Sequence, residues 1–284
     1  MNNNSPLPWT PTPPPADDLP LVDAGKLAAQ LGASEHAPVR TLAVEAVAQT
    51  GSTNVDLMLR LSSLAHPLLR VADRQSAGRG RAGRPWRSDP AATLTFSLAW
   101  RFERPLHALL GLPLAVGVAL VEALQVFGIQ AQLKWPNDVL RDGAKLAGIL
   151  IETAADVAQP QVTWAVVGIG LNLDVPPGLE QELDRSIGAA HELRRQPRET
   201  VLAVIASALA SALDEFERGG LAAFMARWQA CHAYVGQAVR IIDHGTVVQE
   251  GVAAGIDAVG RLLIDTQQGR VAVMAGDVSL RLAQ

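Results

Sequence analysis

The chain has 284 residues, of which 49% are hydrophobic and 18% charged, with a formal net charge of −4. This composition is enough for a sizeable core, excludes wholesale disorder and argues against general affinity for nucleic acid. A single cysteine excludes a disulfide framework and a zinc-site spacing. No signal-peptide pattern opens the chain, and no apolar run approaches the ~18 residues that cross a bilayer. We therefore expect a cytoplasmic protein without a membrane segment.

The first 37 residues are predicted to be a tail that contains at most one helix. Seven of the first twenty residues are proline, which indicates a disordered segment. Leu21 to Leu31 favours a short helix, with Asp23 as its N-cap and Gly32 as its stop. We expect a central domain over residues 38–233 and a small second domain over residues 234–284.

Alternating apolar residues predict a central sheet that is mainly antiparallel, because short turns and not βαβ crossovers join its strands. The predicted strands are Leu42–Ala46, Leu68–Ala72, a half-buried Leu94–Trp100, Ile129–Leu133, Lys145–Thr153 and Val162–Gly168. A long apolar helix should open at Pro105 and run to about Phe127. Alanine-rich segments predict two packing helices, Glu199–Phe216 and Leu221–Cys231. The later runs 239–242, 246–248, 252–256, 262–264, 271–274 and 278–282 predict a small β-barrel.

The most distinctive stretch is DRQSAGRGRAGRPW, from Asp73 to Trp86, in which arginines alternate with glycines. Between Arg70 and Asp89 there are six arginines and two aspartates, a local balance of +4. Glycine lets the backbone approach a ligand closely, and the planar guanidinium of arginine fits carboxylate and phosphate oxygens. The stretch therefore predicts an anion site. A carboxylate and a triphosphate held together are the substrates of an acyl-adenylating enzyme.

Three further polar segments lie where strands of the predicted sheet begin or end. They are Ser52-Thr53-Asn54, the run from Lys134 to Asp138, and Lys145 with Gly148. Converging strand ends would form a pocket with cationic side chains and a few orienting polar groups. Helix capping is the alternative role for the first segment. Core packing is the alternative for Trp86 and Trp135, which otherwise suit an adenine platform.

Together these segments resemble biotin–protein ligases. The motifs are STN at 52–54, GRGRAGRPW at 78–86, KWPND at 134–138, KLAGIL at 145–150 and GIGLN at 168–172. The resemblance implies an α+β fold, with a domain related to class II aminoacyl-tRNA synthetases and lipoate ligases followed by a small SH3-like β-barrel. It also implies two steps. Biotin and ATP give biotinyl-5′-AMP and pyrophosphate, and biotin then passes to one lysine of the biotin carboxyl carrier protein of acetyl-CoA carboxylase.

The resemblance also implies roles for individual residues. Biotin would contact Ser52, Thr53, Asn54, Gln75, Arg79, Gly80, Arg81, Lys145 and Gly148. ATP would contact Arg81, Arg84, Trp86, Lys134, Asn137 and Asn172. Catalysis would rest on Arg79, Arg81, Lys145 and Asp138. No protein cluster is expected to bind a metal: Mg²⁺ would arrive with ATP, and Asp138 would either orient it or orient the incoming lysine. The arginine-rich loop would close over the substrates as a lid.

Two alternatives and several partner predictions remain open. The chain could be a lipoate or octanoate ligase of the same superfamily, or a non-catalytic biotin sensor or repressor; the GRGRxGR and KWPND motifs favour biotin. Many bacterial relatives carry an N-terminal winged helix-turn-helix and act as repressors, whereas only a proline-rich tail and one short helix are predicted here. We therefore expect a dedicated ligase that binds no DNA and is a monomer or weak homodimer.

Overall fold

A computed structural model describes residues 20–156, 159–276 and 278–283, so the predicted tail over residues 1–19 lies outside the described part. Its main feature is a seven-stranded sheet with the order β1-β2-β3-β7-β6-β5-β4. The strands are β1 Ala43–Thr50, β2 Leu68–Gln75, β3 Thr93–Phe102, β4 Gln132–Lys134, β5 Asp138–Arg141, β6 Ala144–Ala155 and β7 Thr163–Asn172. Among these strands, β1 and β2 are parallel, and the other neighbours are antiparallel. The predicted mainly antiparallel mixed sheet is confirmed.

The centre of the sheet is covered on both faces, which corrects the prediction of a half-buried third strand. Helices α4 (Leu112–Val126) and α6 (Arg198–Gly219) contact the sheet, and the short helix α3 (Thr53–Met58) contacts β2, β3, β6 and β7. The polar residues of β3 are therefore buried, with Thr95 at 1% and Ser97 at 0% exposure. The alternation of apolar and polar residues in β3 indicated that its two faces differ chemically, but it did not reveal that α3 covers the polar face.

The long apolar helix begins later than predicted. Leu106–Leu109 forms a short 3-10 helix, Gly111 adopts a left-handed conformation with φ 82°, and α4 follows. Contrary to the estimate from the sequence, Leu106–Val126 is long and apolar enough to cross a bilayer by length and composition alone. However, 67% of it is buried inside the fold, which is the behaviour of a core helix.

The predicted N-terminal helix is present and packs against the central domain. Helix α1 (Ala24–Gly32) is capped by Asp23, which accepts a hydrogen bond from the Lys26 backbone N–H at 3.0 Å. Leu27 and Leu31 belong to the main core, and α1 and the following α2 (Ala37–Arg40) both contact α6. The domain boundary at residue 38 stays a prediction.

The C-terminal residues form a second, five-stranded antiparallel sheet with the order β11-β10-β9-β8-β12. Its strands are β8 Ala238–Asp243, β9 Thr246–Ile256, β10 Leu262–Thr266, β11 Gly269–Val273 and β12 Ser279–Leu282, and helices α5 Leu179–Leu183 and α7 Met225–Cys231 precede it. The two strands predicted at 246–248 and 252–256 are one strand, β9. Trp135 is buried and donates from Nε1 to the Gly260 carbonyl at 3.0 Å. Trp135 therefore joins the two domains, as the packing alternative predicts.

Candidate active site

A pocket of about 750 Å³ at the ends of the central strands brings most of the predicted residues together. The predicted residues in its lining are Ser52, Thr53, Asn54, Gln75, Arg79, Gly80, Arg81, Arg84, Trp86, Lys134, Asn137, Asp138, Lys145 and Gly148. Asn172 is not among the lining residues. Its amide donates to the backbone carbonyls of Lys145 at 3.2 Å and Gly188 at 3.1 Å. Asn172 therefore supports the backbone that carries Lys145.

One end of the pocket, here called the polar end, is a hydrogen-bonded network of Thr53, Asn54, Gln75 and Ser97. The Thr53 backbone N–H donates to Gln75 Oε1 at 2.8 Å. The hydroxyls of Thr53 and Ser97 lie 2.6 Å apart, and Ser97 Oγ donates to Asn54 Oδ1 at 2.6 Å. Ser52 occupies the N-cap position of α3, but its side chain makes no capping hydrogen bond. The capping alternative is therefore not supported.

An ion-pair network behind the polar end fixes α3 to the sheet. Asp56, in the first turn of α3, accepts from Thr50 Oγ1 at 2.6 Å and from Arg70 Nε at 2.7 Å. Arg70 also donates to Glu45 at 2.7 Å. The Arg70 side chain is only 15% exposed, so these contacts are poorly screened. The network holds the first turn of α3 in one position.

The middle of the pocket is the glycine floor, formed by Gly148 of β6 and by Gly168 and Gly170 of β7. A Cβ atom at Gly168 would lie 2.2 Å from Asn54 Oδ1, and one at Gly170 would lie 2.1 Å from Trp86 Cε2. Gly148 pairs with Gly170 across the two strands. The lack of a side chain at Gly168 and Gly170 therefore lets the side chains of Asn54 and Trp86 approach the backbone of β7 closely.

The indole of Trp86 lies on the glycine floor, between the polar end and Lys145. Lys145 Nζ is 5.8 Å from the centre of the Trp86 ring. The indole Nε1 is buried and has no hydrogen-bond partner within the described part of the chain. An unpaired buried N–H is unfavourable, so this position of Trp86 is not a fully satisfied one.

The opposite end of the pocket, here called the cationic end, is built around Asp138. Its two oxygens meet Lys145 Nζ at 2.5 Å and Lys134 Nζ at 3.3 Å. Burial alone would raise the pKa of Asp138, but the two ammonium groups hold it below its usual value. Burial lowers the pKa of Lys134 to about 8. The nearby positive charges of Arg281 and Lys145 also lower it, whereas the attraction of Asp138 raises it. The cationic end therefore has more positive than negative charge.

The arginine-rich loop folds as a small hairpin beside the cationic end. Its backbone is closed by the Gly80 N–H to the Arg84 carbonyl at 2.7 Å and by the Trp86 N–H to the Gly78 carbonyl at 2.9 Å. Arg81 donates to Asn137 Oδ1 at 3.2 Å and also to the Gly276 carbonyl of the second domain. The loop therefore touches both domains, while its tip at Arg84 is exposed.

The structure adds pocket residues that sequence reasoning missed. They are Ser97, the segment 183–186, Tyr234 and the stretch around Arg281 in β12. Ser97 had a usable signal, since it is a polar residue on the alternating strand next to the arginine-rich loop. Arg281 had none, because its approach to Lys134 depends on how the second domain packs.

Two parts of the chain match family models, and both parts contribute to the pocket. Residues 45–172 match the biotin/lipoate A/B protein ligase family, and residues 234–281 match the biotin protein ligase C terminal domain. The chain is 37% identical over 253 residues to the biotin–acetyl-CoA-carboxylase ligase of Mycobacterium tuberculosis, which covers 83% of this chain and 88% of that protein. It is 35% identical over 239 residues to the bifunctional ligase/repressor BirA of Escherichia coli, which covers 82% and 72% respectively.

The fold is also similar to a solved structure. The biotin protein ligase from Aquifex aeolicus, in complex with biotin and ATP, superposes with a TM-score of 0.71 and 30% sequence identity. The match covers 84% of this chain and 99% of that one. The likeness therefore extends over most of this chain and nearly all of that one.

Proposed function

This chain belongs to the biotin protein ligase family, and we propose that it joins biotin to the biotin carboxyl carrier protein of acetyl-CoA carboxylase. It is an ATP-dependent ligase. In the first step biotin and ATP give biotinyl-5′-AMP and pyrophosphate. In the second step the biotinyl group passes to one lysine of the carrier protein.

The observation that supports this proposal most strongly is one pocket with two chemically different ends. The polar end offers hydroxyl and amide groups at fixed positions, which suits the two N–H groups and the carbonyl of a ureido ring. The cationic end offers Lys134, Lys145 and Arg81, which suit a carboxylate and phosphates. The glycine floor connects the ends, and it would accommodate an acyl chain along β6 and β7 once the indole of Trp86 has moved away. A volume of about 750 Å³ is within the usual range for small-molecule sites.

In the first step the protein acts mainly by positioning and by electrostatics. A biotin carboxylate oxygen attacks the α-phosphorus of ATP, and the bond from that phosphorus to the pyrophosphate oxygen breaks. Lys145 lies where the acyl chain would end, so we assign it to the carboxylate and the α-phosphate. Lys145, Arg79 and Arg81 offset the charge that gathers around phosphorus in the transition state. Holding two anions together in line supplies much of the rate enhancement.

Trp86 has to leave the glycine floor when biotin binds, because the indole occupies the path of the acyl chain. Its unpaired indole N–H makes the present position easy to give up. We assign the displaced indole to the adenine ring of ATP, as the motif implies. Arg84 at the exposed tip of the loop and Asn137 beside Arg81 are assigned to the nucleotide as well.

Asp138 acts as a positioning carboxylate in this proposal. Both of its oxygens are engaged by ammonium groups, so it is a poor ligand for magnesium. The described residues also contain no group of three or more His, Cys, Asp or Glu side chains that could hold a metal ion. We therefore propose that Mg²⁺ arrives with the ATP phosphates, whose charge it neutralises. The lowered pKa of Asp138 makes it a poor proton acceptor, so it orients lysines and does not deprotonate the incoming one.

In the second step the neutral amine of the carrier lysine attacks the acyl carbon of the adenylate, the bond from that carbon to the phosphate oxygen breaks, AMP leaves, and the surplus amine proton passes to solvent. Water competes for the same carbon, so the mixed anhydride must be shielded until the carrier docks. The arginine-rich loop and the segment 183–186 line the pocket around this position. We propose that the arginine-rich loop opens for substrates and closes before the adenylate forms.

The proposal also covers the location and the partners of the protein. We propose a cytoplasmic enzyme, because its one cysteine is a free thiol, and a monomer or weak homodimer. We also propose that it binds no operator DNA, because α1 and α2 pack on α6 and neither is free to enter a groove. Specific retardation of biotin-operon promoter DNA in a gel would contradict this part.

The test is avidin blotting of a purified carrier domain after incubation with enzyme, ATP, Mg²⁺ and biotin. We expect strong labelling by the wild type, and labelling slowed by roughly 100-fold or more for Lys145→Ala, because a charge-stabilising group is lost. Lys26→Ala is the matched control, since the Lys26 side chain is 74% exposed on α1. A gain in mass of the carrier domain by one lipoyl group, when lipoate replaces biotin, would favour the lipoate ligase alternative. Biotin binding without adenylate would favour the sensor alternative.

A further inference from the structure

Glu152 lies outside every motif and does not line the pocket, yet it contacts the polar end. It is on β6, two residues beyond the KLAGIL motif. Its Oε2 accepts a hydrogen bond from Asn54 Nδ2 at 2.8 Å. Its Oε1 lies 3.5 Å from Arg79 Nη2, and the Glu152 side chain is 30% exposed. The carboxylate therefore reaches the polar end from behind.

Glu152 leaves the Asn54 amide one favourable orientation. An ionised carboxylate can only accept hydrogen bonds, whereas a primary amide has one accepting side and one donating side. Asn54 Nδ2 faces two acceptors, Glu152 Oε2 at 2.8 Å and the Leu150 carbonyl at 3.4 Å. A flipped amide would place Oδ1 against both acceptors. Asn54 Oδ1 is therefore held toward Ser97.

This orientation sets the direction of the next hydrogen bonds. Ser97 has one hydroxyl hydrogen, which is directed to Asn54 Oδ1 at 2.6 Å. Ser97 Oγ must then accept the hydroxyl hydrogen of Thr53, which lies 2.6 Å away. That hydrogen is no longer available for the longer 3.1 Å contact to Gln75 Oε1, which is instead satisfied by the Thr53 backbone N–H at 2.8 Å. The Gln75 amide is thus fixed as well, with its Nε2 left as a donor.

The directed network determines what the polar end can bind. The free lone pairs of Thr53 Oγ1 and Asn54 Oδ1 are acceptors, and Gln75 Nε2 is a donor. This pattern is the complement of a ureido ring, which has two N–H donors and one carbonyl acceptor. A dithiolane ring has neither, and binding it would bury these groups unpaired. A site built to bond a polar group strongly rejects an analogue that lacks it.

We propose that Glu152 is a positioning residue that sets the polarity of the polar end and thereby selects a ureido ligand over a dithiolane ligand. The inference rests on the proposed biotin ligase function and deepens it. Glu152 touches no reacting atom. It acts on biotin through Asn54, then Ser97 and Thr53. Its 3.5 Å contact with the half-exposed Arg79 is weak, so its loss should affect biotin recognition and leave ATP recognition unchanged.

The first test replaces Glu152 with Met, which keeps the length of the side chain and removes the acceptor. In biotin-dependent ATP–pyrophosphate exchange we expect the KM for biotin to rise about 10-fold. The KM for ATP and kcat should change less than about 2-fold, and the preference for biotin over lipoate should fall. Glu250→Met is the matched control, because Glu250 pairs with Arg240 at 2.8 Å in the second domain, away from the pocket.

The second test exchanges the two polar groups. Asn54→Asp alone places a second carboxylate against Glu152 and should raise the biotin KM about 100-fold or more. Asn54→Asp combined with Glu152→Gln restores one donor facing one carboxylate, and the second oxygen of the new carboxylate still accepts from Ser97. We expect the double variant to recover at least about 10-fold of the loss, which a merely structural role for Glu152 would not produce. This comparison holds even if Glu152→Met folds poorly.

Each outcome decides a different question. If the wild type shows no biotin-dependent exchange, the proposed function fails. If the wild type is active but Glu152→Met keeps its biotin KM, or the double variant recovers nothing, the role of Glu152 is overturned and the proposed function stands. Calorimetric titration of biotin without ATP should give the same ranking of variants, because the effect lies in binding.

Discussion

The two ends of the pocket differ in how completely their groups are paired before any substrate arrives. At the polar end, the side chains of Thr53, Asn54, Gln75 and Ser97 already hydrogen-bond one another. At the cationic end, one carboxylate, Asp138, faces two ammonium groups, and Arg281 adds further positive charge. The groups of the polar end already orient one another, whereas the cationic end has an excess of positive charge.

This difference suits the polar end to substrate recognition and the cationic end to the chemical step. A network whose groups are already oriented costs little reorganisation when a complementary ring binds to its free acceptors and donor, so it favours specificity. An excess of buried positive charge is unfavourable until anions enter, so binding of carboxylate and phosphate relieves it as charge develops at phosphorus. The polar end should therefore tolerate no steric or polarity change, and the cationic end should depend on charge and on pH.

The largest expected effect comes from Asp138→Asn, which removes the carboxylate between the two lysines. The substitution leaves two partly buried ammonium groups without a counter-charge, so the free energy of unfolding should fall by about 3 kcal/mol. Adenylate formation should slow by roughly 100-fold as Lys134 and Lys145 lose their positions. Thermal melting and pyrophosphate release measure the two effects. Asp265→Asn is the control, since Asp265 pairs with Arg270 on the surface and should behave as wild type. An unchanged rate in Asp138→Asn would exclude its positioning role.

A smaller effect is expected from Gly168→Ala at the polar end. The new Cβ would lie 2.2 Å from Asn54 Oδ1, so the amide must shift and the network loses its geometry. Overpacking of this kind costs about 1–3 kcal/mol, which, if it falls on the biotin-bound state, corresponds to roughly 5- to 150-fold in the KM for biotin. The KM for ATP should stay near the wild-type value. Gly32→Ala at the end of α1 is the matched control, because a Cβ there meets no atom within 4 Å. Equal biotin KM values in the two variants would mean that Asn54 does not contact biotin.

The smallest effect is a pH dependence at the cationic end. The pKa of Lys134 is lowered to about 8, so the ammonium group of the free enzyme loses its proton as the pH rises above that value. The kcat/KM for ATP should therefore fall by up to about 10-fold per pH unit above pH 8, and it should level off about one pH unit below that value. Lys134→Arg remains charged, and its profile should lack this fall. The kcat/KM for biotin, measured at saturating ATP, should show a weaker dependence. A wild-type profile for ATP that stays level to about pH 10 would remove Lys134 from nucleotide binding.

Much of the architecture was predictable because it depends on local pattern. Period-2 alternation predicted the strands β1, β2, β3 and β7. The strands β5 and β6 form a hairpin whose turn is Asp142-Gly143. The left-handed conformations of that turn, φ 51° for Asp142 and φ 78° for Gly143, are those that Asp and Gly accept most readily. Most residues of the candidate pocket could be predicted as well, because their motifs lie at strand ends that a sheet brings together.

Other features were not predictable, because they depend on what packs against a segment. Ser97 is buried because α3 packs on β3. The late start of α4 depends on Gly111, which lies against Leu221: a Cβ atom at Gly111 would be 2.6 Å from Leu221 Cδ2. The position of Trp86 needs two glycines on different strands. None of these neighbours is close in sequence, so no local window contains the information.

The sequence by itself determined which chemistry the chain offers: arginines and lysines for anions, short polar side chains for a neutral ring, and glycines that leave space. These are properties of side chains and of backbone freedom, which a residue carries wherever it is placed. Only the tertiary structure decided how these groups act on one another. It placed Glu152 behind Asn54 and Asp138 between two lysines, because the direction of a hydrogen bond and the balance of burial against charge exist only between groups in contact.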